Sequence, residues 1–388
     1  MSLLTTTEEL AAFCASLKGA DFVTIDTEFM RERTYWPKLC LVQLGGSAGA
    51  VAIDPLAKGI DLKPLFELLD DTSIIKVFHA ARQDVEIFFN LTGKIPQPMF
   101  DTQVAAMVCG FGDAASYETL ADRLAGAKID KSSRFTDWSH RPLTDKQINY
   151  ALGDVIHLRQ VYTKLRDQIA KANRMSWVQE EMATLTNPAT YRIDPQEVWR
   201  RFKWRADKPR LCALLRELAA WRETEAQRIN VPRNRVLRDE AIAEIAHHPP
   251  ETSHDLARIR GLSTGFAEGR QGTEVLAAVA RAKALPLDQC PAPEKRKVLP
   301  PGLGPVIDLL KILLKQVSEE NDVASRLIAT VDDLESIAAD DHASVPALQG
   351  WRRELFGNLA LALKRGELAL RVQGKKIVLV SQDGLSGA

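Results

Sequence analysis

The chain has 388 residues with 51 basic and 51 acidic side chains, so its formal net charge is zero. This length suggests two or three domains, because single domains typically hold about 100–200 residues. A composition with 45% hydrophobic and 26% charged residues excludes wholesale disorder. No apolar run reaches the length of about 18 residues that a membrane span needs. Five scattered cysteines form neither a disulfide framework nor a metal knuckle, so we expect a cytoplasmic protein with no membrane partner.

The first part of the chain alternates between strand and helix patterns. Overlapping Thr-x-x-Glu capping boxes in Thr5–Glu9 predict the start of a helix. Three short β-type runs follow at 22–26, 39–44 and 50–53, and their close spacing favours consecutive antiparallel strands. The next predicted elements are a helix, a buried strand, a helix and a short strand, at 62–69, 74–78, 81–91 and 99–100. We therefore predict a mixed sheet flanked by helices, an α/β class, with helices alone from Tyr117 to about residue 187.

The second part of the chain has only helical patterns, in two blocks. Predicted helices of the first block lie at 211–229, 239–246, 251–259 and 267–284. Six prolines in residues 286–305 indicate a linker. A second helical block runs from Val306 to about Glu367 and weakly repeats the order of elements in the first. A strand-like run at 376–381 has no evident place in this scheme.

The zero net charge hides a basic segment. Residues 192–238 carry 13 basic and 6 acidic side chains, a net charge of +7, whereas the chain on either side is slightly acidic. Within this segment, residues 199–205 interleave aromatic rings with four cations, which suits single-stranded nucleic acid through charge and stacking. An amphipathic helix that docks on the first domain explains the same pattern equally well.

Three carboxylate motifs of the first domain suggest chemistry. Asp26 and Glu28 end the first of the three strands and share one face, because side chains alternate along a strand. Asp84 opens the helix after the buried strand, and Tyr150 and Asp154 share a helix face at i,i+4 spacing. Two carboxylates on one face favour a hard cation such as Mg²⁺ or Mn²⁺. Each motif alone also fits an ordinary strand end, a helix-dipole contact or a surface pair.

Together these motifs resemble the DEDD exonuclease superfamily, and more closely the ribonuclease D family. The resemblance is specific over residues 20–159, and it extends more weakly over both helical blocks, which look like tandem HRDC domains. Asn149 stands where a sister subfamily has histidine, so the chain resembles the tyrosine type. The phrases that carry the resemblance include Ile25-Asp-Thr-Glu-Phe29, Tyr35-x-Pro37, Leu41-Val-Gln-Leu44, Phe78-His-Ala80, Thr136-Asp-Trp138, Arg141-Pro-Leu143 and Tyr150-Ala-x-x-Asp154.

The resemblance implies a ribonuclease H-like α/β exonuclease domain followed by two small all-α HRDC domains. The expected boundaries are an exonuclease domain at 1–190, a basic connector at 191–207, a first HRDC domain at 208–288, a proline-rich linker at 289–305, a second HRDC-like domain at 306–372 and a tail at 373–388. Since all the motifs lie before residue 190, we expect the exonuclease domain to fold without the rest.

The resemblance also implies an activity, a 3′→5′ exoribonuclease that releases nucleoside 5′-monophosphates with two divalent metal ions, Mg²⁺ or Mn²⁺. The implied metal ligands are Asp26, Glu28, Asp84 and Asp154, and Tyr150 is the implied water-positioning residue. The expected partners are transfer RNA precursors and other structured RNAs with single-stranded 3′ ends. Two alternatives remain open at this point, a DNA 3′→5′ exonuclease and a non-catalytic RNA-binding protein.

Further residues are weighed as substrate contacts. Phe29 either stacks on the terminal base or packs in the core, and His79 either approaches substrate or is satisfied by backbone. Trp138 and Arg141 contact RNA or anchor their loop, with RNA contact slightly favoured. Asp101 is predicted to cap a helix rather than to bind metal. In the basic segment, the candidate RNA-binding residues are Arg200, Arg201, Lys203 and Arg205.

Overall fold

A six-stranded mixed sheet organises the first domain of the computed structural model, which describes residues 3–130, 132–202, 206–293 and 299–381. The strand order is β1-β4-β3-β2-β5-β6. Within the described ranges, no helix is long and apolar enough to cross a membrane. The strands are β1 (Leu3–Leu4), β2 (Phe22–Met30), β3 (Lys38–Gly46), β4 (Gly49–Ile53), β5 (Ile75–Phe78) and β6 (Met99–Asp101).

The pairing of the strands confirms the predicted meander. β2 pairs antiparallel with β3, and β3 with β4, while β5 lies parallel to β2 and β6 parallel to β5. The edge strand β1, parallel to β4, was not predicted, because two residues are too few to show alternation. The parallel pairs bring the carboxyl ends of β2 and β5 to the same edge of the sheet, where chemistry-bearing residues collect.

Helices cover the sheet of the first domain. The helix α1 begins as predicted, with Thr6 and Glu9 forming a reciprocal capping box. The long helix α6 crosses the sheet, and its Val155 carbonyl accepts a hydrogen bond of 2.8 Å from Thr24 on β2. This contact fixes α6 against the strand that carries Asp26. The helices are α1 (Thr7–Ser16), α2 (Lys63–Asp70), α3 (Arg82–Thr92), α4 (Thr102–Val108), α5 (Tyr117–Leu120) with a π-helical turn at Ala121–Ala125, α6 (Asp145–Lys171) and α7 (Met175–Leu185).

The first helical block has its own hydrophobic core around α8. A short 3-10 segment, Pro195–Arg201, precedes it and inserts the Trp199 ring into that core. The predicted helix at 267–284 is divided at Gly269, where extended backbone separates α12 from α13. The helices are α8 (Pro209–Ile229), α9 (Arg233–Val236), α10 (Asp239–His247), α11 (Ser253–Ala257), α12 (Thr264–Glu268) and α13 (Arg270–Ala284).

The second helical block shares one hydrophobic core with the first domain. The backbone amide of Ala324 donates to the carbonyl of Met107 at 2.8 Å, and the rings of Trp177 and Trp351 stack at 4.4 Å. The shared core weighs against the expectation that the exonuclease domain folds alone, since truncation after residue 190 would expose apolar surface. The helices are α14 (Gly304–Asn321), α15 (Ser325–Ile328), α16 (Val331–Ala339), α17 (Gly350–Arg352) with a π-helical turn at Arg353–Gly357, and α18 (Asn358–Lys364).

Two further segments complete the described chain. The strand-like run at 376–381 forms a hairpin, in which β7 (Leu368–Gln373) pairs antiparallel with β8 (Lys376–Ser381). Single 3-10 turns lie at Pro188–Thr190, Leu287–Gln289 and Pro346–Leu348. Because α14 begins at Gly304, the predicted linker ends slightly earlier than its proline pattern indicates.

A loop of the first domain is held by the first helical block. The hydroxyl of Tyr35 donates to the carboxylate of Glu223 and accepts from Gln227 at 3.0 Å. Asn230, at the end of α8, accepts hydrogen bonds from the backbone amides of Tyr35 and Trp36 at 3.1 and 3.0 Å. We call these contacts the Tyr35 latch. They join the loop that follows β2 to α8.

Candidate active site

A cleft of about 800 Å³ opens at the carboxyl ends of β2 and β5. Asp26 and Glu28 both line it, as strand alternation predicts. The register between β2 and β3 shifts directly after Glu28, so the strand carries the pair just before its regular pairing breaks. The two carboxylates therefore lie on the part of β2 that pairs with β3 in regular register.

Asp84 reaches the same cleft from the first turn of α3. The hydroxyl of Thr27, between the two strand carboxylates, donates a hydrogen bond to the Oδ1 atom of Asp84. Thr27 is therefore a positioning residue for Asp84, a role that strand alternation alone did not reveal. The contact ties β2 and α3 together at the carboxylates.

Tyr150 and Asp154 come from the N-terminal half of α6. Tyr150 lines the main cleft, and together with Asp26 and Asp154 it also lines an adjoining inner cavity of about 360 Å³. The structure thus brings all five sequence-predicted residues to one place, although they are spread over 129 positions between Asp26 and Asp154. The i,i+4 spacing on α6 aims the phenol and the carboxylate at the same space.

Burial and mutual repulsion favour the neutral forms of the four carboxyl groups. Burial raises the pKa of Asp26 to about 7 and, with the negative charge of Asp26, that of Asp154 to about 8. Burial, followed by the charges of the other three carboxylates, raises the pKa of Glu28 to about 10. The pKa of Asp84 also lies well above its usual value, through burial and then the charge of Asp26. None of the four groups carries a positive charge, so the cluster itself contains nothing that would stabilise the ionised carboxylates.

The donor set fits a hard divalent cation. Carboxylate oxygens are the ligands that Mg²⁺ and Mn²⁺ prefer, and a bound cation would stabilise the charged forms that burial and mutual repulsion disfavour. Among the described residues, however, no three Asp, Glu, His or Cys side chains already converge tightly enough to hold an ion. The side chains therefore fit a metal site by chemistry and location, and not through a preformed cage.

Burial likewise raises the pKa of the Tyr150 phenol, with the charge of Asp154 adding to the effect. The phenol consequently stays protonated across the neutral range and acts as a hydrogen-bond donor. A hydrogen bond from Tyr150 works against the rise in the pKa of Asp154. The two groups therefore interact directly across one turn of α6.

His79 and Asp101 both have hydrogen-bond partners within the protein. The Nδ1 atom of His79 lies 3.0 Å from the hydroxyl of Thr102, and the histidine also lines the cleft. Asp101 caps α4 as predicted, because its carboxylate accepts from the amides of Gln103 and Val104. The same carboxylate accepts from the amides of Ala80 and Ala81, at 3.0 and 2.8 Å.

The contacts of Trp138 and Arg141 favour loop anchoring over RNA contact. The Trp138 side chain is only 2% exposed, although it lines the cleft, and its ring centroid lies 6.1 Å from that of Tyr150. Every N–H group of the Arg141 guanidinium is used inside the protein. Its Nε and Nη2 atoms form a bidentate pair with Asp54 at 2.7 Å, and its remaining donors reach the carbonyls of Cys40, Trp138 and His140. Phe29 remains available, since it is half-buried and lines the cleft.

Arg134 and Phe135 are cleft residues that sequence reasoning missed. Arg134 lines both the main cleft and the inner cavity, and its charge lowers the pKa values of Glu28 and Asp154. Phe135 is 91% exposed beside it, with the Arg134 guanidinium carbon 5.3 Å from the ring centroid. A cation next to an aromatic ring, close to the Thr136-Asp-Trp138 motif, was the available signal.

Part of the basic segment, residues 192–238, is engaged in contacts within the protein. Trp199 is buried in the first helical block, so its ring is not free to stack on RNA. Arg200 pairs with Glu197 at 2.5 Å and lies over the Trp199 ring. Arg201 lines a groove between the first domain and α8. Of the four candidate RNA-binding residues, Lys203 and Arg205 lie outside the described residues.

Comparison with known proteins shows the family of the chain. Residues 1–170 match the family model of a 3′-5′ exonuclease, and residues 212–279 match the HRDC domain. Ribonuclease D of Granulibacter bethesdensis is 53% identical over 98% of this chain and 96% of its own length, and that of Nitrobacter hamburgensis is 52% identical over 99% and 100%. The crystal structure of Escherichia coli RNase D, described as an exoribonuclease involved in structured RNA processing, superposes with a TM-score of 0.79 at 30% identity, covering 94% of this chain and 98% of that one.

Proposed function

Because the chain belongs to the ribonuclease D family of 3′→5′ exoribonucleases, we propose that the carboxylates and the phenol of its cleft are the catalytic residues. The ligand roles fall to Asp26, Glu28, Asp84 and Asp154, and the water-positioning role to Tyr150. The observation that carries the proposal is that these residues, from β2, α3 and α6, converge at the edge of the sheet where β2 and β5 end. The family resemblance had implied the same residues.

Two divalent cations held by the four carboxylates would lower the pKa of a water molecule and stabilise the departing 3′-oxygen of a phosphodiester. The chain's own residues then orient the reactants. The Tyr150 hydroxyl, kept protonated, donates a hydrogen bond and directs a lone pair of the attacking water towards phosphorus. Thr27 holds Asp84 in place during this step.

The proposed product is a nucleoside 5′-monophosphate, because attack on the terminal phosphodiester leaves the phosphate on the released nucleotide. The proposed substrates are transfer RNA precursors and other structured RNAs with single-stranded 3′ ends. Support comes from the E. coli relative's described role in structured RNA processing and from the net charge of +7 in residues 192–238, of which Arg201 lines the groove next to the loop after β2. Five free cysteines agree with a reducing cytoplasmic location.

Matched RNA and DNA oligomers labelled at the 5′ end test this proposal. We expect stepwise shortening of the RNA from its 3′ end, with 5′-monophosphates as products, in Mg²⁺ or Mn²⁺ and not in EDTA. The Asp26→Asn variant is the control for contaminating nuclease. Faster degradation of the DNA, or full activity of Asp26→Asn, would overturn the assignment.

A further inference from the structure

Arg134 and Phe135 stand out among the residues that the proposed mechanism does not use. Arg134 is exposed, and no described residue forms a hydrogen bond or ion pair with its guanidinium. The guanidinium does lie 5.3 Å from the centroid of the Phe135 ring. By contrast, Arg31 and Arg141 of the same domain are both committed to carboxylates. The donors of Arg134 are thus available to a ligand in the cleft.

The position of Arg134 suits a phosphate. It lines both cavities, so it lies where the main cleft meets the inner cavity that contains Asp154. A planar guanidinium offers several N–H donors in a fixed fork that matches phosphate oxygens. An incoming polyanion faces four carboxylates here, and a positive group at the boundary offsets that repulsion.

The exposure of the Phe135 ring indicates that it can stack on a nucleobase. At 91%, it is the most exposed of the large hydrophobic side chains in the described part of the chain. A phenyl ring left in water at the rim of a nuclease cleft offers a flat surface, and every nucleobase presents a π-face to such a ring. Unstacked bases of single-stranded RNA are commonly bound this way.

We propose that Arg134 and Phe135 form a clamp on the 3′-terminal nucleotides, with Arg134 binding a backbone phosphate and Phe135 stacking on a base. The clamp deepens the proposed exoribonuclease function and rests on it. It holds single-stranded RNA chiefly by charge and stacking, so it accepts all four bases. It also requires that the last nucleotides be single-stranded, since stacked neighbours cover the faces of bases inside a duplex.

The Arg134 half of the clamp is tested by salt dependence. Binding of 5′-labelled oligoadenylate is measured in the Asp154→Asn background, where the RNA is not degraded. Each phosphate contact on a single strand contributes about 0.7 to the slope of log K against log salt. We expect Arg134→Ala to lower the slope by about that amount and Arg134→Lys to retain most of it. The control is Arg123→Ala, which removes an exposed arginine that lines neither cavity.

The Phe135 half is tested with abasic substrates. Base stacking on an aromatic ring corresponds to about 5- to 150-fold in affinity per base. We expect Phe135→Ala to weaken binding of intact RNA within that range, and Phe135→Trp to retain it. An abasic site at the clamped position should weaken RNA binding by the parent protein and leave RNA binding by Phe135→Ala unchanged. Leu91→Ala, at an exposed leucine outside the cleft, is the control.

The outcomes separate the clamp from the underlying function. An unchanged salt slope in Arg134→Ala, with a shifted pH–rate profile, would show that Arg134 only tunes the carboxylates and would overturn the phosphate contact. Equal sensitivity of Phe135→Ala and its parent to every abasic site would overturn the stacking. Failure of the proposed function is distinct, because the protein with an intact cleft would then release no monophosphates.

Discussion

The hydroxyl of Tyr35, in the loop after β2, donates a hydrogen bond to the Glu223 carboxylate, which lies on α8 in the first helical block. Arg233 completes the arrangement by pairing with Glu223 at 2.5 Å and placing its guanidinium over the Tyr35 ring. Neighbouring residues of the same loop, Arg33 and Thr34, line the catalytic cleft. A helical block that contains none of the proposed catalytic residues therefore holds a loop that lines the cleft.

The Tyr35 latch predicts the effect of the Asn230→Gly substitution. Asn230 adopts a left-handed backbone with φ of 52°, which glycine tolerates, so the change removes mainly two hydrogen bonds to the loop. We expect the free energy of unfolding to fall by about 1–3 kcal/mol, and the KM for RNA to rise as the cleft wall loosens. Tyr191→Phe, which removes a hydrogen bond to a backbone carbonyl in the first domain, should lower stability without raising KM.

The pH dependence of the latch follows from Glu223. Burial acts to raise its pKa, but hydrogen bonds from Arg233 and Tyr35 outweigh burial and hold the pKa below its usual value of 4.5. Its contribution to stability is therefore complete above about pH 4.5 and is lost as the pH falls through the lowered value. Chemical denaturation of the parent and of Glu223→Gln should give a constant difference from pH 5.5 to 7 and a shrinking one below 4.5. A constant difference down to pH 3.5 would contradict this.

Metal removal should destabilise the protein most at high pH. The pKa values of Asp26 and Asp154, raised to about 7 and 8, mean that the metal-free folded protein keeps protons that the unfolded chain loses near pH 4. Its free energy of unfolding therefore falls as the pH rises from 4 to 8. Adding Mg²⁺ or Mn²⁺ at 100 times its Kd raises the free energy of unfolding by about 2.7 kcal/mol. Thermal unfolding in EDTA and in metal should differ more at pH 8 than at pH 5, and equal shifts would contradict the carboxylate site.

The two residues of α6 should differ in their effect on catalysis. Asp154→Asn removes a proposed metal ligand and should lower kcat by several orders of magnitude while RNA binding persists. Tyr150→Phe removes only the hydroxyl that positions water, so we expect a smaller loss of about 10²–10⁴-fold. Single-turnover kinetics on a short oligomer compares them. A Tyr150→Phe variant with the parent's kcat would show that the phenol is a packing group.

Arg201 should contribute to RNA affinity through charge. It lines the groove between the first domain and α8, and no described residue forms an ion pair with it. Arg201→Ala should lower the slope of log K against log salt by about 0.7. Arg228→Ala, at an arginine paired with Glu225 at 2.7 Å, is the matched control and should leave the slope unchanged. Identical slopes for both variants would place Arg201 outside the RNA path.

Local patterns in the sequence predicted the parts of the fold that depend on local physics. The capping box at Thr6 and the cap at Asp101 are examples, because their hydrogen bonds join residues at most three positions apart. The family resemblance implied the four carboxylates from distant motifs, and the structure brings them to one place. Arg141 was harder to interpret, since its acceptors include the carbonyl of Cys40, a hundred residues away. The sequence did not reveal that the first domain and the second helical block share one core. A buried helix face has the same apolar pattern in the sequence whichever neighbour covers it.

The contact between Ala324 and Met107 has a consequence for the order of protein synthesis. The partners are more than two hundred residues apart, and translation at about 5–20 residues per second takes about 10–40 s to cover that distance. During this time the face of the first domain that will meet α15 has no partner. A nascent chain therefore carries all the proposed catalytic residues well before its largest hydrophobic core can be completed, and the exposed face is open to chaperones in that interval.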